Sequence, residues 1–293
     1  MQTITTGLLA FVSPVRRDAN GEATWPNRLT GDQPERWTTA PGFPLLCAAE
    51  VHVWRACLNV APLVLARRLA VLDATERART LTFRSERVRD RYIAARGLLR
   101  EILARYVNTA SDRIAFQCNA YGKPALSGAY AATDLRFNLS HSGAVALYAI
   151  AIDRDVGVDI EQVSTALSQE HIAEQFFSRF EVEALRALPP HVQQQAFFAC
   201  WTRKEAFVKA RGLGLSLPLS RFSVNLTPNQ PARLLDADPP SELERWSMTA
   251  VSAGPGYEAA LVVEGSDWRL KCRDWKEQAA RDESKVSASN YSI

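Results

Sequence analysis

No stretch of this sequence stays apolar for the ~20 residues that a membrane-crossing helix requires. A short apolar run at residues 7–12 has no basic residue ahead of it and is shorter than a signal-peptide core. A cytoplasmic protein with no membrane partner is therefore expected. Cysteine is sparse and unpatterned: five residues, Cys47, Cys57, Cys118, Cys200 and Cys272, with no C-x-x-C pair. That odd, scattered set argues against a disulfide framework and a structural zinc site, and fits free thiols in a reducing compartment. A dominant charge is also missing. Thirty-five Lys and Arg against 32 Asp and Glu leave a net +3, too little to argue for a nucleic-acid partner. What remains, 47% hydrophobic and 23% charged residues in a 293-residue chain, suits one large or two small globular domains.

The ends differ from the middle. Residues 1–48 hold Pro14, Pro26, Pro34, Pro41 and Pro44 with no sustained period, and read as a partly irregular N-terminal extension. Trp25, Trp37 and Phe43 are its candidates for packing onto the body. Residues 276–293 are charged and Ser-rich and read as a flexible tail.

The body reads as two α+β halves, 49–162 and 163–275. The first opens with an alternating strand at 51–54 and continues into an arginine-rich helix over 85–106. Ile93, Leu98, Leu99, Ile102 and Leu103 give that helix its apolar stripe. Strands are predicted at 113–117, 135–139, 144–152 and 156–161, the last two joined by a tight turn at 153–155. In the second half, Ser178 with Glu181 forms a capping box for a helix toward Leu188, which Pro189-Pro190 ends. A helix over 192–210 stops at Gly212-Leu-Gly214, and strands follow at 222–226, 246–251, 257–263 and 268–272.

Candidate chemistry clusters in five strings. In Gly157-Val-Asp159-Ile-Glu161, strand alternation puts both carboxylates on one face. Two such neighbours repel and call for a cation or a proton between them, and a hard ion such as Mg²⁺ suits oxygen ligands. Equally, the string suits a solvated strand end with two incidental acids. In Trp201-Thr-Arg-Lys204-Glu205-Ala-Phe-Val-Lys209, Glu205 and Lys209 share a helix face. They are either a surface pair beside a core tryptophan, or a third metal carboxylate with an ammonium one turn away, an arrangement that serves phosphoryl chemistry. Phe137-Asn-Leu-Ser140-His141-Ser-Gly143 places a hydroxyl and an imidazole at a strand end, able to donate to phosphate oxygens or to serve structure alone. Tyr121-Gly-Lys123-Pro124 reads as a stiff turn that projects a charge. Finally, Arg77, Arg79, Arg84, Arg87 and Arg91 crowd the long helix and its approach, as a phosphate-rich ligand or a solvated face would require.

In this order, over roughly residues 74–263, the strings resemble the 4′-phosphopantetheinyl transferase family, in its surfactin-synthetase-activating branch. The resemblance implies an intramolecular pseudodimer of two similar α/β halves, with coenzyme A and Mg²⁺ in the cleft between them. It places Asp159, Glu161 and Glu205 on metal-ligand positions, and Lys209 beside the pyrophosphate. Ser140 and His141 match phosphate contacts, Lys123 and Pro124 an adenine-side contact, and Arg79 and Arg91 basic positions toward coenzyme A phosphates. One position that is basic in some members falls on Glu76 here. The implied reaction moves phosphopantetheine onto a serine of an apo acyl, polyketide or peptidyl carrier protein. Glu205 or a metal-held water takes the serine proton, and Asp159 and Lys209 take part in catalysis. A Mg²⁺-dependent phosphohydrolase and a non-catalytic scaffold are the competing readings. A monomer is expected, and the segment 164–180, with Phe176 and Phe177, is the candidate for carrier docking or else part of the core.

Overall fold

The computed structural model describes residues 16–17, 23–24, 37–39, 43–164, 169–227 and 230–277. Its first half runs β1 (Glu50–Cys57), α1 (Pro62–Ala70), α2 (Ala74–Thr80), α3 (Glu86–Tyr106), β2 (Phe116–Cys118), β3 (Pro124–Leu126), β4 (Leu135–Ser142), β5 (Val145–Ile152) and β6 (Val156–Gln162). The second half runs α4 (Gln169–Phe176), α5 (Arg179–Ala187), α6 (Pro190–Arg211), β7 (Ser223–Val224), β8 (Leu234–Asp236), α7 (Glu242–Arg245), β9 (Trp246–Ala250), β10 (Tyr257–Glu264) and β11 (Arg269–Asp274).

Two sheets organise these elements. One has the order β11-β1-β5-β4, the other β9-β10-β6. Their inner faces meet in one apolar cluster, in which Val51, Val53, Leu147 and Ala149 pack with Val158, Ile160 and Leu261. Alternation then fixes what lies outside. Trp54, Ala146, Tyr148 and Ile150 point the other way and receive Leu98, Leu99, Ile102 and Leu103 of α3. Ala260 and Val262 likewise receive Ala206, Phe207 and Ala210 of α6. The result is helix, sheet, sheet, helix: the expected α+β architecture of two helix-backed halves.

Strand pairing crosses the expected division at 162/163 twice. Strand β6 belongs to the first half in sequence but pairs antiparallel with β10. Strand β11 returns from the second half to pair parallel with β1. The expected pinning of the extension holds for two of its three aromatics. The Trp37 indole donates to the Ser252 carbonyl at 2.7 Å, and Phe43 stacks on Trp54 with centroids 5.2 Å apart. Trp25 lies outside the described residues, as does the tail from residue 278.

Most predicted elements are present within a residue or two. The exceptions are local. The strand expected at 113–117 is a 3-10 turn at Ser111–Arg113 followed by β2. The strand at 222–226 shrinks to Ser223–Val224. The helix toward Leu188 does end ahead of Pro189-Pro190, as expected, and Pro190 also opens α6, where its missing N–H costs nothing. The capping box at Ser178 and Glu181 forms as predicted, and Gly212 closes α6 at φ +65°, a conformation that favours glycine.

Candidate active site

Helix α6 is seated on β6 by a glycine. A Cβ on Gly157 would lie 2.1 Å from the Ala206 carbonyl oxygen and 2.3 Å from the Ala210 nitrogen. Only a bare backbone lets the helix approach this closely. Asp159 and Glu161 follow Gly157 on the same strand face, so they point at the α6 face that carries Glu205 and Lys209.

The four side chains interact. The Lys209 ammonium donates to Asp159 Oδ1 at 2.6 Å and to Ser140 Oγ at 2.9 Å. Ser140 in turn donates to Asp159 Oδ1 at 2.8 Å. Asp159 is fully buried, and its Oδ2 has no hydrogen-bond partner. Glu161 accepts from Ser142 Oγ at 2.8 Å.

Burial, then the Asp159 charge, pushes Glu161 up to about 8 despite the Ser142 hydrogen bond. The same two causes push Glu205 up to about 7. Burial also raises Asp159, against the pull of Lys209. Lys209 itself is raised: burial opposes its charge, but the carboxylates around it prevail. The cluster holds more negative charge than one lysine offsets.

Strand β4 borders this site along a seam where the two sheets touch without a shared ladder among the described residues. Side chains bridge the seam instead. The Val158 N–H donates to Asn138 Oδ1 at 2.9 Å, and the Gln162 N–H to Ser142 Oγ at 3.0 Å. The string Phe137 to Gly143 therefore supplies the polar edge of the cleft. His141 is exposed there, and the protein around it, with the charges of Lys209 and Arg91, disfavours its protonation.

The other predicted residues sit further out. Arg91 of α3 donates to Asn59 Oδ1 at 3.2 Å and lines a recess of about 360 Å³ with Leu58, Val60, Leu65 and Arg87. Arg79 is exposed on α2, its guanidinium 5.7 Å from the Tyr92 ring centroid. Lys123 spans the two halves, donating to the Ala210 carbonyl at 2.7 Å and to Asp155 at 2.8 Å. Pro124 opens β3 and, with Lys123, lines a second recess of about 230 Å³.

Glu76, the departure from the family pattern, is buried. It closes a capping box with Asp73 and pairs with Arg96 at 2.6 Å and Arg100 at 2.7 Å. Its carboxylate serves the fold. Phe177 is 3% exposed and stacks on Phe197, while Phe176 meets Trp201 edge-on. The core half of that reading is what the side chains do, and residues 165–168 of the same segment lie outside the described residues.

Three contributors went unassigned in the sequence. Gly157, Asn138 and Ser142 all lie within the motif strings, but their tasks depend on which strand or helix faces them. Lys204 is the converse case: adjacent to Glu205, it points away from the site into a fully buried pair with Glu181 at 2.7 Å.

No group of three His, Cys, Asp or Glu side chains among the described residues is gathered tightly enough to hold a metal as it stands. The donor set still suits a hard divalent cation: carboxylate oxygens only, one of them buried and unpartnered, and two acids raised by burial and then by the Asp159 charge.

An acidic cluster with an ammonium on its deepest carboxylate, edged by a serine-histidine strand and arginine-lined recesses, has the chemistry that phosphate handling calls for. Comparison with known proteins identifies it further. The family model of the 4′-phosphopantetheinyl transferase superfamily matches residues 155–262, and that of the 4′-phosphopantetheinyl transferase N-terminal region matches residues 61–152. The chain is 36% identical over 235 residues to the 4′-phosphopantetheinyl transferase HetI of Nostoc sp., covering 80% of this chain and 96% of that protein. It is 33% identical over 173 residues to the 4′-phosphopantetheinyl transferase Sfp of Bacillus subtilis, covering 58% of this chain and 72% of that protein. The holo-(acyl-carrier-protein) synthase of Bacillus anthracis in complex with CoA, at 19% identity and a TM-score of 0.32, covers 38% of this chain and 96% of that one, too distant to inform the site. The chain belongs to the 4′-phosphopantetheinyl transferase superfamily and is an enzyme of that class.

Proposed function

We propose that this enzyme transfers 4′-phosphopantetheine from coenzyme A to the serine hydroxyl of an apo carrier protein (acyl, polyketide or peptidyl), leaving 3′,5′-ADP. The observation that carries the site assignment is the Asp159 carboxylate: Oδ1 is taken by Lys209 and Ser140, while Oδ2 is buried and unpartnered. Asp159, Glu161 and Glu205 would hold Mg²⁺, which when bound supplies positive charge to the pyrophosphate and to the excess of carboxylates.

The chain's own residues supply the rest. The carrier serine Oγ bonds to the phosphorus that bears pantetheine, and the bond from that phosphorus to the bridging oxygen breaks. Glu205 accepts the serine proton. Lys209, anchored on Asp159, faces the leaving phosphate and offers it a proton or a charge. His141 donates to phosphate oxygens from the cleft edge, and Ser140 joins it by turning its hydroxyl from Asp159. Arg79 and Arg91 hold the more distant phosphates, and Lys123 with Pro124 the adenine side. The halves 49–162 and 163–275 act as one monomeric unit, since each donates a strand to the other's sheet. All five cysteines are free, which supports a cytoplasmic setting.

The test is the carrier dependence of 3′,5′-ADP release. With coenzyme A and Mg²⁺ alone, release is expected to be negligible, and adding an apo carrier should start it. Release at the same rate without a carrier would replace the transferase reading with a phosphohydrolase.

A further inference from the structure

The glycines of Gly212-Leu-Gly214 do more than end α6. Gly212 alone supplies the stop, at φ +65°. Gly214 repeats the left-handed backbone at φ +52°, and a Cβ on it would lie 3.2 Å from the Tyr121 carbonyl oxygen. A Cβ on Gly212 would lie 2.9 Å from Lys123 Cδ and 3.1 Å from Asn119 Nδ2. The bare loop is thus a seat for the turn between β2 and β3, which belongs to the first half.

Asn119 both builds that turn and fastens it. Its backbone N–H donates to the Lys123 carbonyl and its carbonyl accepts from the Gly122 N–H, each at 3.0 Å. Its side-chain Oδ1 accepts from the Tyr121 and Lys123 N–H groups, each at 2.9 Å. Nδ2 then donates to the Gly212 carbonyl at 2.8 Å. These partners fix the orientation of the side-chain amide, because an N–H can only donate and a carbonyl can only accept. An aspartate could accept the two inner bonds but would set an oxygen against the Gly212 carbonyl. Beside this anchor, Lys123 Nζ donates to the Ala210 carbonyl at 2.7 Å and to Asp155 at 2.8 Å. Carbonyls at the end of α6, which the helix itself leaves open, are therefore held by two side chains of the first half.

The clasp lies where the cleft needs it. Along their seam the two sheets share no ladder among the described residues, and Lys209 directly precedes Ala210. The end of α6 that carries Lys209 is thereby tied to the half that carries Arg79, Arg91 and the Ser140–His141 strand. A ligand whose phosphates reach both halves meets two sets of groups whose spacing this tie fixes.

We propose that Asn119 is a positioning residue of the coenzyme A site: it clasps the β2–β3 turn to the C-terminus of α6 and so sets the spacing between the phosphate-binding groups of the two halves. The inference rests on the transferase reading for the identity of the ligand.

Asn119 lies on an exposed turn, so its variants should fold, with melting temperatures close to that of the parent. Asn119→Ala removes the inner bonds and the anchor together; Asn119→Asp keeps the inner bonds and breaks the anchor. In both, the dissociation constant for coenzyme A by calorimetry, and KM with a saturating apo carrier, should rise about tenfold, equivalent to ~1.4 kcal/mol, while kcat changes less. The ratio to the parent should persist at high ionic strength, where simple repulsion between a new carboxylate and the phosphates would be screened. Gly214→Ala, which lifts the turn from its seat, should move the same two constants in the same direction. An unchanged coenzyme A affinity in Asn119→Asp would overturn the proposal. So would a loss that high salt abolishes, or a lowered melting temperature with both constants unmoved. Calorimetry needs no carrier, so a parent enzyme that binds coenzyme A but transfers nothing would sink the transferase reading while the affinity ratio still decides the clasp.

Discussion

Gly157 and Ala206 lie so close that a single Cβ on the strand would sit 2.1 Å from the helix carbonyl oxygen. This backbone-to-backbone approach sets the distance between Asp159 and Glu161 on one element and Glu205 and Lys209 on the other. Gly157→Ala must push α6 outward, since the blocking atoms are main chain. Overpacking of this kind costs ~1–3 kcal/mol, and a rigid obstacle puts it at the upper end. Thermal unfolding should show a melting temperature lowered by about 6–12 °C, with activity reduced further because the Lys209–Asp159 bond lengthens. An unchanged melting temperature would show that the helix has room to spare.

The carboxylate cluster should make the metal-free protein prefer acid. Glu161 and Glu205 rise from 4.5 to about 8 and about 7, so the folded state binds more protons than the unfolded one over that range. Their contribution to stability is present where they are protonated and is lost as pH rises through those values. Mg²⁺ must displace the same protons. The increase in melting temperature on adding Mg²⁺ should therefore be larger at about pH 8.5 than at about pH 6, where binding must release protons. An equal shift at both pH values would place the ion elsewhere.

Adjacent residues of one motif should behave in opposite ways. Lys204 and Glu181 are both fully buried, 2.7 Å apart, and Lys204 also donates to the Phe222 carbonyl at 2.6 Å. Lys204→Ala leaves the buried Glu181 carboxylate without a countercharge, held by the Ser178 and Val224 amides, which costs ~3–5 kcal/mol. Glu205→Gln removes one of several crowded negative charges, so at alkaline pH the metal-free variant should melt no lower than the parent, although it loses turnover. Unfolding curves for the pair of variants check this; equal destabilisation by both would contradict the division of labour.

Glu76 and Arg79 separate in the same manner. Glu76→Ala removes a carboxylate shared by Arg96 and Arg100, leaving Arg100 with Asp73 and the Ile114 carbonyl, and should lower stability by ~3–5 kcal/mol, leaving coenzyme A affinity in the folded protein nearly unchanged. Arg79→Ala, on an exposed helix face, should do the reverse. Calorimetry and denaturant titration of both variants test the assignment. A large affinity loss in Glu76→Ala would mean that its ion pairs position the phosphate-binding arginines.

What could be read in the sequence follows from the range of each interaction. The capping box at Ser178 and the glycine stop at Gly212 depend on residues a few positions apart, and both formed as expected. Strand alternation placed Asp159 and Glu161 on one face, and helix spacing placed Glu205 and Lys209 together. That those two faces meet depends on Gly157, whose role is visible only with α6 lying over it. The parallel pairing of β11 with β1 joins residues more than 200 positions apart and leaves no local mark. Nor does anything in the string W-x-x-K-E-A distinguish Lys204, which supports the fold, from Glu205, which faces the cleft.

The most direct measurement is the intact mass of an apo carrier protein incubated with this enzyme, coenzyme A and Mg²⁺. The account predicts a gain of one phosphopantetheine, abolished by EDTA and by Glu205→Ala, with coenzyme A affinity in that variant reduced far less than turnover. No mass gain on acyl, polyketide and peptidyl carriers alike, from a folded protein that binds coenzyme A, would contradict it.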